Sequence, residues 1–508
     1  MNKMNRRSFL QTSLAASAAL SLPARVRAAA DGANGDIRVA IVGFHGRGQD
    51  HIKGYLGLKE KGVRIVAICD VDSEVLEKGV AQLKAKGVEV KPYQDIRKLL
   101  ESNEIDAVSM ATPNHWHSLG GIWAIQAGKD LYVEKPVSHN VWEGRQLVKA
   151  TEAHNRIVQM GVQSRSGLGN TAAVEWAKSE ALGKLLYVRG LCYKRRASIG
   201  QVSGEQPIPS TIDYDLWCGP AEKLPLHRKQ LHYDWHWVWN TGNGDLGNQG
   251  IHQMDIARRF TGEAAISPAV MSIGGRLGYK DDGETPNSMI VFHDYAKAPL
   301  IFEVRGLPAD PKKSVKTMDQ YRGSSVGVVA QYENGYIVCP DYNNAYAVGK
   351  DGALLKKFGN PPLPEGMVDP NPAPASEKKK GESEKENHFA NFIQAVRSRK
   401  NSDLNGPILE GHISSALCHT GNIAYRLGKK MAPDAIREKI KGNKEAMDSF
   451  ERLAKHLAVN DVDISNDQLA FGEFLKFDPK AEKFIDNKEA DKMLTREYRA
   501  PFIVPEKV

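Results

Sequence analysis

Two stretches of this 508-residue chain combine residue types that could bind and transform a polyhydroxylated molecule. The first is the turn Gly43-Phe44-His45-Gly46-Arg47-Gly48, directly after the apolar run Ile37 to Val42. Glycines spaced G-x-x-G-x-G permit a tight turn, and the amides of a following helix start can then approach a pyrophosphate. A second apolar run, Val63 to Cys69, closes on Asp70, 27 residues after Gly43. A carboxylate there accepts hydrogen bonds from both ribose hydroxyls and repels a 2′-phosphate, which selects NAD over NADP. Strand, glycines, strand and acid together predict a dinucleotide fold.

The second stretch runs from His232 to Asp255. Its first part, His232-Tyr233-Asp234-Trp235-His236-Trp237-Val238-Trp239-Asn240, holds three tryptophans and two histidines within eight residues. Aromatic faces stack on sugar rings while indole N–H groups and amides take hydroxyls, so Trp235 and His236 are candidates to hold a ring. An aromatic packing plug is the plainer alternative. The second part carries Asp245, Asn248, Gly250, His252 and Asp255. Gly250 allows close backbone approach at a helix start, and His252 and Asp255 fall one turn apart on one face. An Asp/His/His metal cluster is conceivable on residue types, but hydride chemistry needs none and no metal is assigned.

These residues need elements to position them. Ile105 to Met110 reads as a strand ending in Ala111-Thr112-Pro113-Asn114-His115-Trp116-His117, and Asp130 to Val133 as another ending in Glu134-Lys135-Pro136. Both polar turns fall at carboxyl ends of parallel strands, where open sheets bind ligands. From Lys184 the composition changes. Strands are expected at 185–190, 267–274, 288–294, 299–305, 323–330, 334–340 and 343–349, close enough in sequence to form an antiparallel meander. Residues 361–384 are proline- and lysine-rich and read as an exposed connection. The domain plan is therefore a signal segment at 1–30, a Rossmann domain at 36–160, an α/β domain at 161–430 with a large, mostly antiparallel open sheet, and a helical extension at 431–508.

The glycine turn, the Thr-Pro-Asn-His turn, Glu134-Lys135-Pro136 and the later Gly-x-His-x-x-Asp segment occur in an order that resembles the Gfo/Idh/MocA oxidoreductase family over roughly residues 36–430. The resemblance implies an NAD cofactor, a sugar or polyol substrate, and an open sheet that often serves as an oligomer interface. It places Lys135 at the nicotinamide and substrate, and implies a cis bond before Pro136. Gly43 to Gly48, Asp70, Thr112 to His115, Glu134 and Lys135 become the expected cofactor contacts. Many relatives carry Asp-x-Gly-x-His where this chain has Asn248-Gln249-Gly250-Ile251-His252. An amide orients a hydroxyl but cannot take its proton, which leaves His252 as the base. Lys194, Arg195, Trp235, His236, Asp245, Asn248 and Asp255 are the expected substrate contacts.

The amino terminus points to export. Arg6-Arg7 before Ser8-Phe9-Leu10, the apolar run Leu14 to Leu22 and Ala28-Ala29-Ala30 look like a twin-arginine signal, read by the machinery that exports folded proteins to the periplasm. The apolar run is far short of the roughly 20 residues a membrane span needs. Losing residues 1–30 removes five cations and no acid, so the net charge of +8 falls to about +3, which does not favour a nucleic-acid partner. The five cysteines are far apart, without metal-ligand spacing, and are expected as buried thiols. An exported enzyme with trapped NAD needs a second half-reaction to return the hydride. Sugar–sugar oxidoreduction supplies one; oxidation, elimination across a glycosidic bond and re-reduction supplies another. A non-catalytic carbohydrate-binding protein on a decayed scaffold is the remaining alternative.

Overall fold

A computed structural model describes residues 35–370, 387–465 and 469–508. The signal segment and most of the expected connection lie outside the described residues; 361–370 carry no helix or strand. The first sheet has six parallel strands: β1 (Ile37–Val42), β2 (Val63–Cys69), β3 (Lys91–Tyr93), β4 (Ala107–Met110), β5 (Asp130–Val133) and β6 (Val158–Met160), in the order β3-β2-β1-β4-β5-β6. Helices α1 (Gly48–Leu56), α2 (Ser73–Lys84), α3 (Ile96–Leu100), α4 (His117–Gln126) and α5 (Val141–His154) cover its two faces. The central strands β1 and β4 are nearly all buried, as expected of Val/Ile/Ala-rich strands sandwiched between helices. Strand order reverses between β1 and β4, so the crevice at their carboxyl ends lies between the glycine turn and the Thr112–His115 turn.

The second sheet has eleven strands. Its main path uses β7 (Leu185–Tyr193), β8 (Ala269–Gly275), β9 (Ser288–His293), β10 (Leu300–Arg305), β11 (Val326–Tyr332), β12 (Gly335–Cys339), β13 (Ala345–Gly349), β14 (Leu354–Phe358), β15 (Lys429–Met431) and β16 (Leu469–Asp478), ordered β14-β13-β12-β11-β7-β10-β9-β8-β16-β15, and β17 (Lys483–Phe484) pairs with β16. The expected meander is interrupted at its centre. There β7 enters between β11 and β10 and pairs with β10 in parallel; every other pairing in this sheet is antiparallel. Helices α6 (Leu168–Ala177), α7 (Tyr214–Cys218), α8 (Gly244–Asn248), α9 (Gly250–Thr261), α10 (His388–Ser398) and α11 (Ile408–Arg426) follow the first domain. Of these, α9 and α11 pack Ile251, Met254, Leu417 and Cys418 against Val188, Val291 and Phe302 on one sheet face.

The carboxyl-terminal extension is not purely helical. Its helices α12 (Pro433–Ile440) and α13 (Lys444–Val459) lead into β16, a ten-residue strand whose Leu469, Phe471 and Phe477 are buried. Lysine content hid the strand, because Glu473 and Lys476 sit on its exposed positions. The two helices lay Ile436, Ile440, Phe450, Leu453 and Leu457 on Met271, Ile273, Ile290, Phe292 and Ile301. That is the outer face of β8, β9 and β10, the surface the resemblance would leave open for a second copy. The chain covers this part of the face itself. Beneath the cover Arg189, fully buried, pairs with Glu303, which also binds Arg452. Glu303 is thereby held well below the usual carboxylate range against the burial that opposes it.

Candidate active site

The glycine turn has the geometry its sequence requires. Gly43 has φ +74°, and a Cβ there would lie 2.9 Å from the Thr112 nitrogen; a Cβ on Gly48 would lie 2.2 Å from the Gly43 oxygen. Above Gly46, by contrast, the space is open. The Asp70 carboxylate fixes the turn by accepting from the Phe44 amide at 3.0 Å and from the Asp72 amide at 3.1 Å. Burial pushes the Asp70 carboxyl upward while these two amides oppose it. Phe44 turns its ring into the core against Gly79 and lines the crevice only through its own position in the turn.

One cavity of about 580 Å³ runs from this turn to the end of β5, a volume suited to a cofactor-sized ligand. Gly43, Gly46, Arg47, Asp70, Thr112, Pro113, Asn114, Glu134 and Lys135 line it, as expected. Open space over Gly46, a helix start directly after the turn and a carboxylate at the end of β2 fit a dinucleotide. Glu134 lines the wall, but its carboxylate is engaged: it accepts from Arg47 Nε at 2.9 Å, Gln163 Nε2 at 3.1 Å and the Lys135 amide at 3.2 Å, with His51 Nε2 at 3.2 Å. Its place is to tie the glycine turn to the Lys135 turn.

The second domain supplies a roof. Residues 206–239 cross over the crevice and bring Trp217, His232, Tyr233, Trp235 and His236 to the cavity. The crossing is anchored to the β2–α2 edge, where the Ser73 amide donates to the Thr211 oxygen at 2.9 Å and the Asp213 amide to the Val71 oxygen at 3.1 Å. His45 in the glycine turn stacks on His232 with ring centroids 4.1 Å apart, and His232 Nε2 lies 3.3 Å from Asp72. Sequence reading missed His232 and Trp217 as cavity residues, although the aromatic segment signalled the first.

At the far end, the Lys135–Pro136 bond is cis, as the resemblance implies. Lys135 Nζ donates to the Asn248 backbone oxygen at 2.8 Å. Burial lowers the Lys135 pKa while Glu134 opposes that shift. His117 braces the turn from behind, with its ring nitrogens 2.6 Å from the Pro136 oxygen and 2.8 Å from that of Thr112. Trp235 and His236 stack at 3.6 Å in the cavity wall. His252 is 5 % exposed, one turn past Asn248, and is not itself in that wall. Burial and the Lys135 charge push its pKa well below 6.5, so the ring is neutral at neutral pH. Its Nδ1 has no hydrogen-bond partner among the described residues. Tyr342, which belongs to no motif, stands with its ring 4.7 Å from that of His252 and accepts from Gln249 Nε2 at 2.8 Å.

Five expected contacts are placed elsewhere. Asp255 is 0 % exposed, and both its oxygens are taken by Arg165 at 2.8 Å and Ser414 at 2.7 Å. Asp245, 1 % exposed, accepts Nε of Arg196 at 2.8 Å and Nη2 at 2.5 Å. His115 is buried between the Trp217 oxygen at 2.9 Å and the Thr241 oxygen at 3.3 Å, so it joins the domains instead of facing the crevice. Lys194 donates to Gln249 Oε1 at 2.8 Å on the surface. Arg195 lines a separate groove and donates to the Gly306 oxygen at 3.2 Å. All five cysteines are buried and free.

A Rossmann domain closed by a mixed-sheet domain, with lysine at the crevice end, defines a class of nucleotide-dependent oxidoreductase folds. The chain belongs to the Gfo/Idh/MocA family: the model of its NAD-binding Rossmann fold matches residues 37–162, and that of its C-terminal alpha/beta domain matches 185–296. NAD is the cofactor of that domain. A twin-arginine translocation signal sequence matches residues 3–23. No helix of the described residues is long and apolar enough to cross a membrane. The chain is 32 % identical over 182 residues to an inositol 2-dehydrogenase/D-chiro-inositol 3-dehydrogenase of Shouchella clausii, covering 35 % of this chain and 51 % of that protein. It is 30 % identical over 157 residues to a glycosyl hydrolase family 109 protein of Shewanella pealeana, covering 30 % of this chain and 34 % of that one. The chain thus spans about half the length, or less, of these curated relatives. The crystal structure of the WlbA dehydrogenase from Bordetella pertussis, in complex with NADH and UDP-GlcNAcA, is similar with a TM-score of 0.52 at 18 % identity, over 75 % of this chain and 94 % of that one.

Proposed function

We propose that this protein is an exported, periplasmic NAD-dependent oxidoreductase acting on a carbinol carbon of a sugar, polyol or sugar derivative, and that it leaves the cytoplasm with its dinucleotide enclosed. The observation that carries this reading is the single cavity running from Asp70, under the His45–His232 stack, to Lys135 and Asn248. Bound NAD supplies the hydride acceptor or donor. Neutral His252 takes the hydroxyl proton, and the Lys135 ammonium stabilises the negative charge that develops on the oxygen. Asn248 orients a neighbouring hydroxyl while Trp235 and His236 hold the ring. Denaturing protein purified from the exported fraction and identifying the released nucleotide tests the reading. About one NAD per chain is expected for a cofactor retained by slow release. Apoprotein would sink enclosure, and NADP would sink the reading of Asp70.

A second reading, redox-neutral cleavage of a glycoside, is favoured by two particular observations. One is the 30 % identity to a glycosyl hydrolase family 109 protein. The other is Tyr342 beside His252, a second proton-carrying group of the kind that departure of an aglycone uses. Sugars and glycosides incubated with the protein in deuterated water separate the two. Stable oxidised product with intact glycosidic bonds supports oxidoreduction. Aglycone release with deuterium on carbon, and no net oxidation, supports cleavage.

A further inference from the structure

Behind the Lys135–Pro136 turn lies a second cavity of about 330 Å³, at the small end of the range for small-molecule sites. One hydrogen-bonded pair links it to the dinucleotide crevice. Asn114, in the crevice wall, donates through Nδ2 to Oδ1 of Asn243 at 3.0 Å, and Asn243 lines the second cavity. The lining is unlike that of a packing defect. Asn140, Asn240 and Asn243 line it with amides held by protein partners, Asn422 brings a side-chain oxygen with no partner among the described residues, and Trp239 brings an aromatic face. Two arginines, Arg426 and Arg496, reach it from α11 and from the carboxyl-terminal segment.

The charge there is not paired directly. Among the described residues, neither guanidinium has a carboxylate within ion-pairing distance of 4.0 Å; the lining's one carboxylate, Glu222, is exposed. Arg426 stands over the Trp239 ring at 5.1 Å. Arg496 donates to the Asn240 backbone oxygen at 2.8 Å and to its side-chain oxygen, and lies 3.4 Å from His139 Nδ1. Burial lowers the Arg496 pKa, while the buried Glu143 carboxylate, beyond ion-pairing distance, opposes the shift. Burial also holds His139 well below 6.5 and His419 at about 3, so the positive charge belongs to the arginines. Lys492 at the margin is paired with Glu489.

We propose that this cavity binds a small hydroxylated carboxylate, of the aldonate or uronate class. Guanidinium groups take a carboxylate in a planar, charge-assisted pair, while amides and an indole take hydroxyls and the carbon skeleton. A neutral sugar would leave the arginines unused, and inorganic phosphate would leave the Asn422 oxygen and the Trp239 face unused. The inference does not rest on the reaction proposed above. An occupant would also touch the segment that carries Lys135, because His139 follows four residues later and its backbone oxygen accepts from Asn243 Nδ2 at 2.9 Å.

Calorimetric titration of the full, nucleotide-loaded protein with gluconate and with glucuronate tests this, with glucose and inorganic phosphate as comparison probes. One of the two acids is expected to bind at least about tenfold more tightly than either comparison probe. Arg426→Ala is expected to weaken that binding about tenfold, and Arg496→Lys to weaken it through loss of the planar fork. Arg426 is exposed, so its replacement leaves the fold intact, and an unchanged nucleotide content verifies this. Binding that survives both replacements, or that phosphate matches, overturns the proposal. So does acid binding that Lys135→Met abolishes and Arg426→Ala leaves untouched, since that would place the acid in the crevice.

Discussion

At the nucleotide end of the crevice, Gly43 and Gly46 present backbone; at the substrate end, Lys135, Asn248, Trp235 and His236 present side chains. The two ends answered differently to sequence reading. Every glycine in the turn lies where its spacing implied, and Asp70 closes β2 beside them. In the second domain, by contrast, three of the charged groups expected at substrate are spent on partners: Asp245 on Arg196, Asp255 on Arg165 and Lys194 on Gln249. Backbone chemistry is carried by local spacing. The availability of a charged side chain depends on what the rest of the chain packs against it.

The sharpest way to test this contrast is Lys135→Met. The expected outcome is a fall in hydride transfer of roughly 10²–10⁴, with nucleotide content largely kept. Near-normal rates on a verified substrate would remove the lysine from the chemistry at the substrate end.

Asp255→Asn probes the opposite expectation on the same helix as His252. Removing one member of a buried pair is expected to destabilise the fold by about 3–5 kcal/mol, read by chemical denaturation, with KM of the folded protein unchanged. A raised KM at unchanged stability would return Asp255 to the substrate. Arg165 holds this carboxyl at about 2, below its unfolded value, against the burial that raises it. Its contribution to stability is therefore present above the ordinary carboxylate range and fades as pH falls towards 2.

A pH profile should sharpen the roles of Lys135 and His252. Burial depresses both, so neutral His252 and charged Lys135 coexist around neutrality. Activity is expected to decline on the alkaline side at a pH below the ordinary lysine value, as the ammonium is lost. Lys135→Arg should move that limb upward; an unmoved limb would assign it to another group.

The smallest effects are expected at the nucleotide end. His232→Ala removes the stack on His45 and should speed NAD release by about tenfold, equivalent to 1.4 kcal/mol. Asp70→Ala should relax discrimination against NADP. Unchanged preference would place the ribose contact elsewhere.

The parallel sheet, its glycine turn and the polar turns after β4 and β5 were legible because each is a local pattern: an apolar run buried on both faces, then residues fixed by backbone geometry. The large sheet was legible strand by strand but not in its order. Nothing near β7 specifies a parallel partner 112 residues away, and β16 hides behind Glu473 and Lys476 on its exposed positions. Motifs drew attention to His252 and Lys135, whereas Tyr342 lies on an unrelated loop and carries no signal of its own.

By itself, then, the sequence determined the cofactor fold, the position of the lysine and the aromatic character of the second domain's crossing segment. These depend on spacing within a few residues, which the chain carries wherever it goes. Tertiary structure alone decided that residues 206–239 roof the crevice, that α12 and α13 cover the outer sheet face, and which carboxylates are left free. Those outcomes depend on packing between residues tens to hundreds of positions apart, where a single arginine such as Arg165 turns a candidate ligand into part of the core.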